Sequence, residues 1–312
     1  MALMLAGIVI ASPLALAQQR FTLGASPPGG AWYPMAAGLA EIWNKNIDGI
    51  SVTVEGTGGA AINPRWLADG QVDIALNSLD MVFAARDGTP PYKDDPQDLS
   101  HVRSLMLQHS SPHFVVVKAK SDIHQMSDLV GKRVAIGDRG AAANERAIWI
   151  FEAHGINPAD VRLEYLGDEQ AAGALADGRI DAWLEFIAVP AAPVMNLATT
   201  NDIRFIPMDD DAVERLRAKW PFMVPTEVPA GTYRGQEQAY TAYGVTGALL
   251  VLDSVPEDVV YEMCMTINDH RKQLAEIHRA FALWSFDPDI ETITGQPLHP
   301  GAKRCYQEIG VL

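Results

Sequence analysis

The glycine-rich turn Ser26–Gly30 is the first stretch of the chain whose residue types could bind a ligand. Its two prolines and two glycines leave backbone N–H groups open. A helix is predicted to begin near Ala31, so these groups meet the positive end of the helix dipole and favour an anion. Trp32 and Tyr33 follow in the first helical turn, where their rings can wall a pocket and offer a polar hydrogen. The alternatives are a tight turn without a ligand and aromatic rings packed beneath the helix.

Two more polar stretches follow predicted strands in the first half of the chain. Thr57–Gly59 combines a hydroxyl with two glycine amides, which can bind an anion as a second backbone nest. Asn77 and Ser78 end the third predicted strand and come just before Asp80. A plain turn cap is the alternative for Thr57, and capping of the next helix is the alternative for Ser78 and Asp80.

The second half of the chain offers the turn Gly137–Asn144 and two single residues. Arg139 in this turn could bind a carboxylate through its guanidinium or point into solvent. Glu185 ends a predicted strand, where its carboxylate would attract a ligand ammonium and repel a second carboxylate. An ion pair with a neighbouring arginine is the alternative for Glu185. Tyr233 lies in an irregular segment and is a candidate to cover the ligand. The predicted ligand-binding residues are Gly30, Ala31, Trp32, Tyr33, Thr57, Gly58, Gly59, Asn77, Ser78, Arg139, Gly140, Ala141, Ala142, Asn144, Glu185 and Tyr233.

Composition and the absence of known motifs argue against several classes of function. The chain has 312 residues, 48% apolar and 20% charged, as in soluble globular proteins. Its 39 acidic side chains outnumber 24 basic ones, and no basic run occurs, which argues against a nucleic-acid partner. The eight histidines are scattered, so no metal site or other cofactor is predicted. The chain lacks G-x-S-x-G and G-x-G-x-x-G, and Gly131-Lys132 precedes Arg133, not Ser or Thr, which argues against a hydrolase elbow, a dinucleotide site and a P-loop.

Residues 1–17 indicate export, which bears on the state of the two cysteines. The N-terminal stretch contains no charge and ends in Ala15-Leu16-Ala17, so a signal peptide is predicted with a mature chain from near Gln18. A buried N-terminal helix is the alternative. No other stretch is long and apolar enough to span a bilayer, so no direct membrane insertion is predicted. An oxidising compartment permits a disulfide between Cys264 and Cys305, and two buried free thiols are the alternative.

The candidate residues are positioned by a βαβαβ unit that the sequence contains twice. Leu67–Asp73 (LADGQVD) reappears as Leu175–Asp181 (LADGRID), and the strands, turns and helices before each copy match in order. Such units form a parallel sheet in which polar loops lie at the carboxyl ends of the strands. The two copies therefore predict an α/β fold of two similar lobes with a ligand cleft between their facing loops.

The chain is predicted to cross between these lobes twice, near residues 113 and 243. His113–Lys118 and Gly244–Leu252 are apolar runs typical of strands. The crossings assign residues 18–112 and 243–312 to lobe I and residues 113–242 to lobe II. A hinge of two strands would let the lobes close on a ligand.

Taken in order, the motifs resemble those of the TAXI family, the solute-binding subunits of tripartite ATP-independent periplasmic (TRAP) transporters. The resembling pieces are Trp32-Tyr33-Pro34, Val54–Gly59, Asp128–Val134, Leu175–Asp181, Pro229–Tyr233, Leu249–Val259 and Leu298–Ala302. The resemblance implies a type II periplasmic-binding-protein fold and a periplasmic location. It also implies a small organic solute, a carboxylate or an amino acid, held between the lobes and delivered to TRAP membrane permease subunits. No enzyme activity is expected, and an exported hydrolase or transferase on a related two-lobe fold is the alternative.

Two positions depart from the pattern of that family. The turn Gly137–Asn144 carries three alanines where the family usually has serine or threonine, so hydroxyl ligands are lost there. Glu185 stands where members tend to be uncharged. If its carboxylate faces the cleft, an amino acid or another amine-bearing solute is favoured over a plain dicarboxylate.

Overall fold

The computed structural model describes residues 18–28, 32–139, 141–187 and 189–312. The predicted signal peptide therefore lies outside the described residues. The strands are β1 (Gln19–Gly24), β2 (Ile50–Glu55), β3 (Ile74–Ser78), β4 (Val102–Lys118), β5 (Arg133–Ala135), β6 (Arg162–Glu164), β7 (Ala182–Phe186), β8 (Ile203–Phe205), β9 (Met223–Val228) and β10 (Tyr240–Leu252). The helices are α1 (Trp32–Asn46), α2 (Asn63–Ala68), α3 (Leu79–Asp87), α4 (Ala142–Ala153), α5 (Asp168–Ala176), α6 (Ala192–Thr200), α7 (Asp210–Lys219), α8 (Glu257–Asp269), α9 (Arg271–Ile277), α10 (Ile290–Thr294) and α11 (Pro300–Glu308). Within these ranges no helix is both long and apolar enough to cross a membrane.

The described strands form one sheet in the order β2-β1-β3-β10-β4-β7-β5-β6, with β8 beside β4 and β9 beside β10. β1 runs parallel to β2 and β3, and β5 runs parallel to β6 and β7. We call the part built on β1–β3 the first lobe and the part built on β5–β7 the second lobe. β4 belongs to both, because its residues 102–112 pair with β10 and its residues 113–118 pair with β7 or β8.

The repeated sequence segment has the same structural role in each lobe. In the first lobe, the Asp73 carboxylate accepts a hydrogen bond from the backbone N–H of Thr22 at 2.7 Å. In the second lobe, the Asp181 carboxylate accepts one from the backbone N–H of Arg133 at 2.8 Å. The glycine three residues earlier has a positive φ in both copies, 65° and 74°. Each carboxylate therefore ties the start of its lobe's third parallel strand to the first, as expected of a true internal repeat.

α1 buries the apolar stripe that its sequence predicts. Met35, Leu39, Ile42 and Trp43 are all buried. The Trp43 Nε1–H also donates to the carbonyl oxygen of Met263 in α8 at 3.1 Å. Burying each large apolar side chain contributes about 2 kcal/mol, so this stripe fixes α1 against the C-terminal helices.

A disulfide joins Cys264 of α8 to Cys305 of α11, with the two Cα atoms 6.2 Å apart. Both residues are fully buried. The bond links two helices of the C-terminal region inside the core. The structure thus selects the disulfide over the pair of free thiols.

The lobes are connected by β4 and β10. A Cβ on Gly244 would collide with the carbonyl oxygen of Ser111, so glycine is needed for the close approach of these strands. Next to this point, the Nδ1 atom of His113 lies 2.7 Å from the carbonyl oxygen of Tyr243. Burial lowers the pKa of His113 to about 4, so the ring is neutral at neutral pH. The strands run through the two predicted crossing points, and the residue bounds of the lobes stay a prediction.

Candidate functional site

The candidate site lies where loops from the two lobes meet. α3 follows β3 in the first lobe, and α4 follows β5 in the second. Asp80, in the first turn of α3, forms an ion pair with Arg146 of α4. Oδ2 of Asp80 accepts from Nη2 of Arg146 at 2.6 Å and from Nε at 3.0 Å. Only 1% of the Asp80 side chain and 14% of the Arg146 side chain are exposed, so the contact is a buried link between the lobes.

The residues before Asp80 hold its carboxylate in place. Its Oδ1 atom accepts from the hydroxyl of Ser78 and from the backbone N–H of Met81, the latter at 3.0 Å. Asn77 is fully buried, and its Nδ2 donates to the carbonyl oxygen of Ala75 at 2.8 Å. In the described part of the chain, Asn77 Oδ1 has no hydrogen-bond partner. Ser78 is the N-cap residue of α3 but makes no side-chain capping bond, since its hydroxyl donates to Asp80. The predicted ligand-binding role of Asn77 and Ser78 stays a prediction.

The loop around Thr57 is largely satisfied by its own hydrogen bonds. The Thr57 hydroxyl donates to the carbonyl oxygen of Ala25 at 2.9 Å and accepts from the N–H of Gly59 at 2.9 Å. Asn63, also fully buried, bonds to Thr57 and donates to the Ala25 carbonyl at 2.8 Å. The Gly58 N–H makes no hydrogen bond to the described residues. The hydrogen bonds of Thr57 and Gly59 therefore match the predicted alternative of a turn cap. Of the predicted anion-binding nest, the Gly58 N–H is the donor without a partner among the described residues.

Glu185 ends β7 in the second lobe and is 7% exposed. Its Oε1 accepts from the N–H of Phe186 at 2.8 Å, and its carboxyl group also hydrogen-bonds to the Asp168 side chain. Burial, reinforced by the charge of Asp168, raises the pKa of Glu185 to about 7, against opposing effects of the Phe186 N–H and the Arg146 charge. Burial likewise raises the pKa of Asp168. Gly137 has a φ of 85°, a backbone conformation that favours glycine, and a Cβ there would lie 3.0 Å from Glu185 Oε2.

The turn before α4 is held by backbone bonds and by Asn144. The Asn144 Nδ2 donates to the carbonyl oxygen of Ile136 at 2.6 Å. Ala141 is the N-cap residue of α4, and its carbonyl oxygen accepts from the Asn144 N–H at 3.0 Å. Ala142 is the first residue of the helix, and Gly140 lies outside the described residues. Asn144 therefore stabilises the turn through hydrogen bonds to the backbone of the turn itself.

Arg139 and Tyr233 lie away from the ion pair. The exposed Arg139 guanidinium stacks 4.0 Å from the centre of the Tyr165 ring. Tyr233 is 2% exposed and packs against Phe114, while its hydroxyl accepts from the N–H of Ala191 at 2.9 Å. Its ring is part of the second lobe's core, and its role as a cover for the ligand stays a prediction.

The opening helix contributes half-buried aromatic rings. Trp32 and Tyr33 begin α1 and pack partly against the main core. Both retain exposed surface, so core packing accounts for part of each ring and the role as a pocket wall stays a prediction. The predicted contacts Gly30 and Ala31 fall outside the described residues.

Three residues of the site escaped sequence reasoning. Arg146 lies two positions after Asn144 on a helix, and only its ion pair with the other lobe reveals a role. Asp168 is the first residue of α5 and follows a predicted strand, where the repeat predicts a loop at the cleft. Its predicted position beside Glu185 was the signal that could have identified it. Asn63, whose Nδ2 also donates to the carbonyl oxygen of Leu76 at 2.6 Å, gives no signal beyond being an asparagine in an apolar helix.

A protein-family model described as the NMT1-like family matches residues 23–310. The chain belongs to the NMT1-like family. The NMT1-like chain is similar in structure to a TctC solute-binding protein from Polaromonas, with 15% identity, 94% of this chain and 99% of that chain covered, and a TM-score of 0.60. It is also similar to the periplasmic sulfonate-binding protein SsuA from Methylobacillus flagellatus KT, with 12% identity, coverage of 95% and 96%, and a TM-score of 0.58. For the aliphatic sulphonate-binding SsuA from Escherichia coli the identity is 13%, both coverages are 94%, and the TM-score is 0.50. These likenesses confirm the predicted two-lobed periplasmic-binding-protein fold.

Proposed function

We propose that this NMT1-like protein is a periplasmic receptor that binds a small organic solute between its lobes and delivers it to a membrane permease. The observation that carries the proposal is the buried contact of Asp80 with Arg146, which joins α3 of the first lobe to α4 of the second lobe near Glu185. A solute that touches both lobes at once stabilises the closed form by its differential affinity for that form. The protein binds the solute without converting it.

The solute is proposed to be a carboxylate or, with preference, an amino acid. A ligand ammonium beside Glu185 and Asp168 would favour the ionised form of both carboxyl groups, whose pKa values burial raises. The Gly58 N–H and the donors near the start of α1 would bind the carboxylate end of the same molecule. The ionised form of Glu185 would repel a dicarboxylate that carries no amine.

The permease is proposed to be of the TRAP type, with this chain as its TAXI subunit. The order of the family motifs from Trp32 to Ala302 supports this assignment. Uptake of the identified solute into proteoliposomes that contain a TRAP permease should depend on added receptor. Receptor-dependent uptake through an ABC permease alone would contradict the assignment.

A thermal-shift screen of the mature protein tests receptor function. Carboxylates, amino acids and amines are compared on the wild type, on Glu185→Gln, and on Glu169→Gln, which removes an exposed carboxylate next to Asp168. A solute at a concentration of 100 Kd should stabilise the wild type and the Glu169 control by about 2.7 kcal/mol, and an amine-bearing solute should lose affinity for Glu185→Gln. Conversion of any compound into product would instead identify an enzyme, and unchanged amine binding by Glu185→Gln would refute the preference for an amine.

A further inference from the structure

The Asp80–Arg146 ion pair joins side chains that belong to different lobes. We propose that it is an interlobe latch that closes the receptor in the absence of solute and thereby raises its affinity for every solute. The proposal rests on the two-lobe receptor function above. It assigns to Asp80 and Arg146 a positioning role, because they act through lobe closure and not by selecting a ligand.

Hydrogen bonds within the first lobe orient the Asp80 carboxylate for this role. The Ser78 hydroxyl and the Met81 N–H occupy Oδ1, so the carboxylate keeps its orientation whether or not Arg146 is present. Oδ2 is left for the guanidinium, which binds it through two N–H groups. Of the hydrogen bonds that Asp80 makes, opening the lobes breaks only those to Arg146. The latch can therefore form again without rearranging the first lobe.

Arg146 is positioned by the second lobe. Its guanidinium lies 5.7 Å from the centre of the Phe186 ring, and the side chain projects from α4 toward α3. Close by, Phe83 of α3 meets the edge of Phe222 with ring centres 4.9 Å apart. Apolar contacts of this kind favour closure without fixing direction, whereas a charge-assisted hydrogen bond holds one relative orientation. The ion pair thus defines which closed arrangement forms.

The latch has a signature that ligand contacts lack. When only the closed form retains solute, the apparent Kd equals the intrinsic Kd divided by the closed fraction. Loss of the latch lowers the closed fraction and so weakens all solutes by the same factor. Loss of Glu185, in contrast, should change the ranking of solutes.

Small-angle X-ray scattering of the solute-free mature protein tests the latch directly. Asp80→Asn and Arg146→Gln should each show a larger radius of gyration than the wild type, while Arg146→Lys, which keeps the charge, should recover part of the closure. Asp181→Asn is the matched control, because it removes a carboxylate from the Arg133–Asp181 pair inside the second lobe, whose atoms are 2.7 Å apart. Thermal unfolding of every variant verifies that it is folded.

The latch would be overturned if Asp80→Asn and Arg146→Gln had the same radius of gyration as the wild type. It would also be overturned if the Asp181→Asn control showed the same increase in radius of gyration as these two variants. This measurement needs no solute. If no compound binds but the variants open, receptor function fails and the latch stands. If a solute binds and the variants stay closed, the latch fails and the receptor stands.

Discussion

Replacing Glu185 by glutamine should remove a pH dependence from the stability of the folded protein. Burial, reinforced by Asp168, raises the pKa of Glu185 from 4.5 to about 7. The folded protein therefore holds this proton up to a higher pH than the unfolded chain does. Glutamine cannot ionise, and its amide oxygen can still accept from the N–H of Phe186.

The direction and size of the effect follow from this difference in pKa. Between pH 4.5 and about 7 the folded state binds more protons than the unfolded state, so the contribution of Glu185 to stability is complete below pH 4.5 and is lost as the pH rises through 7. At about 1.36 kcal/mol for each pH unit, the loss approaches about 3 kcal/mol. Glu185→Gln should therefore become more stable relative to the wild type by up to this amount as the pH rises.

Urea unfolding of the wild type and Glu185→Gln at several pH values between about pH 4 and pH 9 measures this difference. Glu169→Gln, which removes an exposed carboxylate beside Asp168, should keep the wild-type pH profile. A free-energy difference between wild type and Glu185→Gln that does not change with pH would show that Glu185 has the same pKa in the folded and the unfolded chain, and would refute the reasoning.

Three further predictions concern stability. Replacing Cys264 and Cys305 by serine should lower the free energy of unfolding by about 4 kcal/mol, as expected for a bridge between residues 41 positions apart, and an unchanged urea midpoint would contradict this. Tyr233→Phe leaves the buried N–H of Ala191 unpaired and should lower the free energy of unfolding by about 2 kcal/mol without altering solute affinity. Weaker solute binding by this variant would indicate that Tyr233 contacts the solute. Asp73→Ala removes the acceptor for two hydrogen bonds from Thr22 and should cost about 2 kcal/mol, measured by thermal unfolding against Asp69→Ala at an exposed position.

The repeated units could be predicted from the sequence because their signals are local. Alternating apolar residues and glycine turns predict β1–β3 and β5–β7 within a few residues of their observed bounds. β9 and the first part of β4 were missed, since Pro225 and Pro112 interrupt them. Proline is tolerated where its missing N–H is not needed by a neighbouring strand. Here Pro225 lies in β9, which pairs only with β10 among the described strands, and Pro112 lies where β4 passes from β10 to β7.

Contacts between the lobes could not be predicted in this way. Asp80 and Arg146 are 66 positions apart, and each sits in a helix with ordinary local signals. Tyr233 is predicted from its irregular segment to cover the ligand, and nothing in the local sequence indicates that its ring packs against Phe114 in the second lobe's core. The ends of the predicted strands indicate where functional side chains should gather. Which side chains then contact one another depends on how the two lobes pack together, and the local sequence does not determine that.

The connection between the lobes consists of extended strands, not of loops. With Gly244 pressed against Ser111 and the neutral His113 ring bonded across to Tyr243, neither strand has a free pivot. In the proposed receptor, opening would therefore be distributed as small backbone rotations over several neighbouring residues. Such a connection has one preferred geometry, so substitutions that stiffen these few residues would alter the release of the proposed solute.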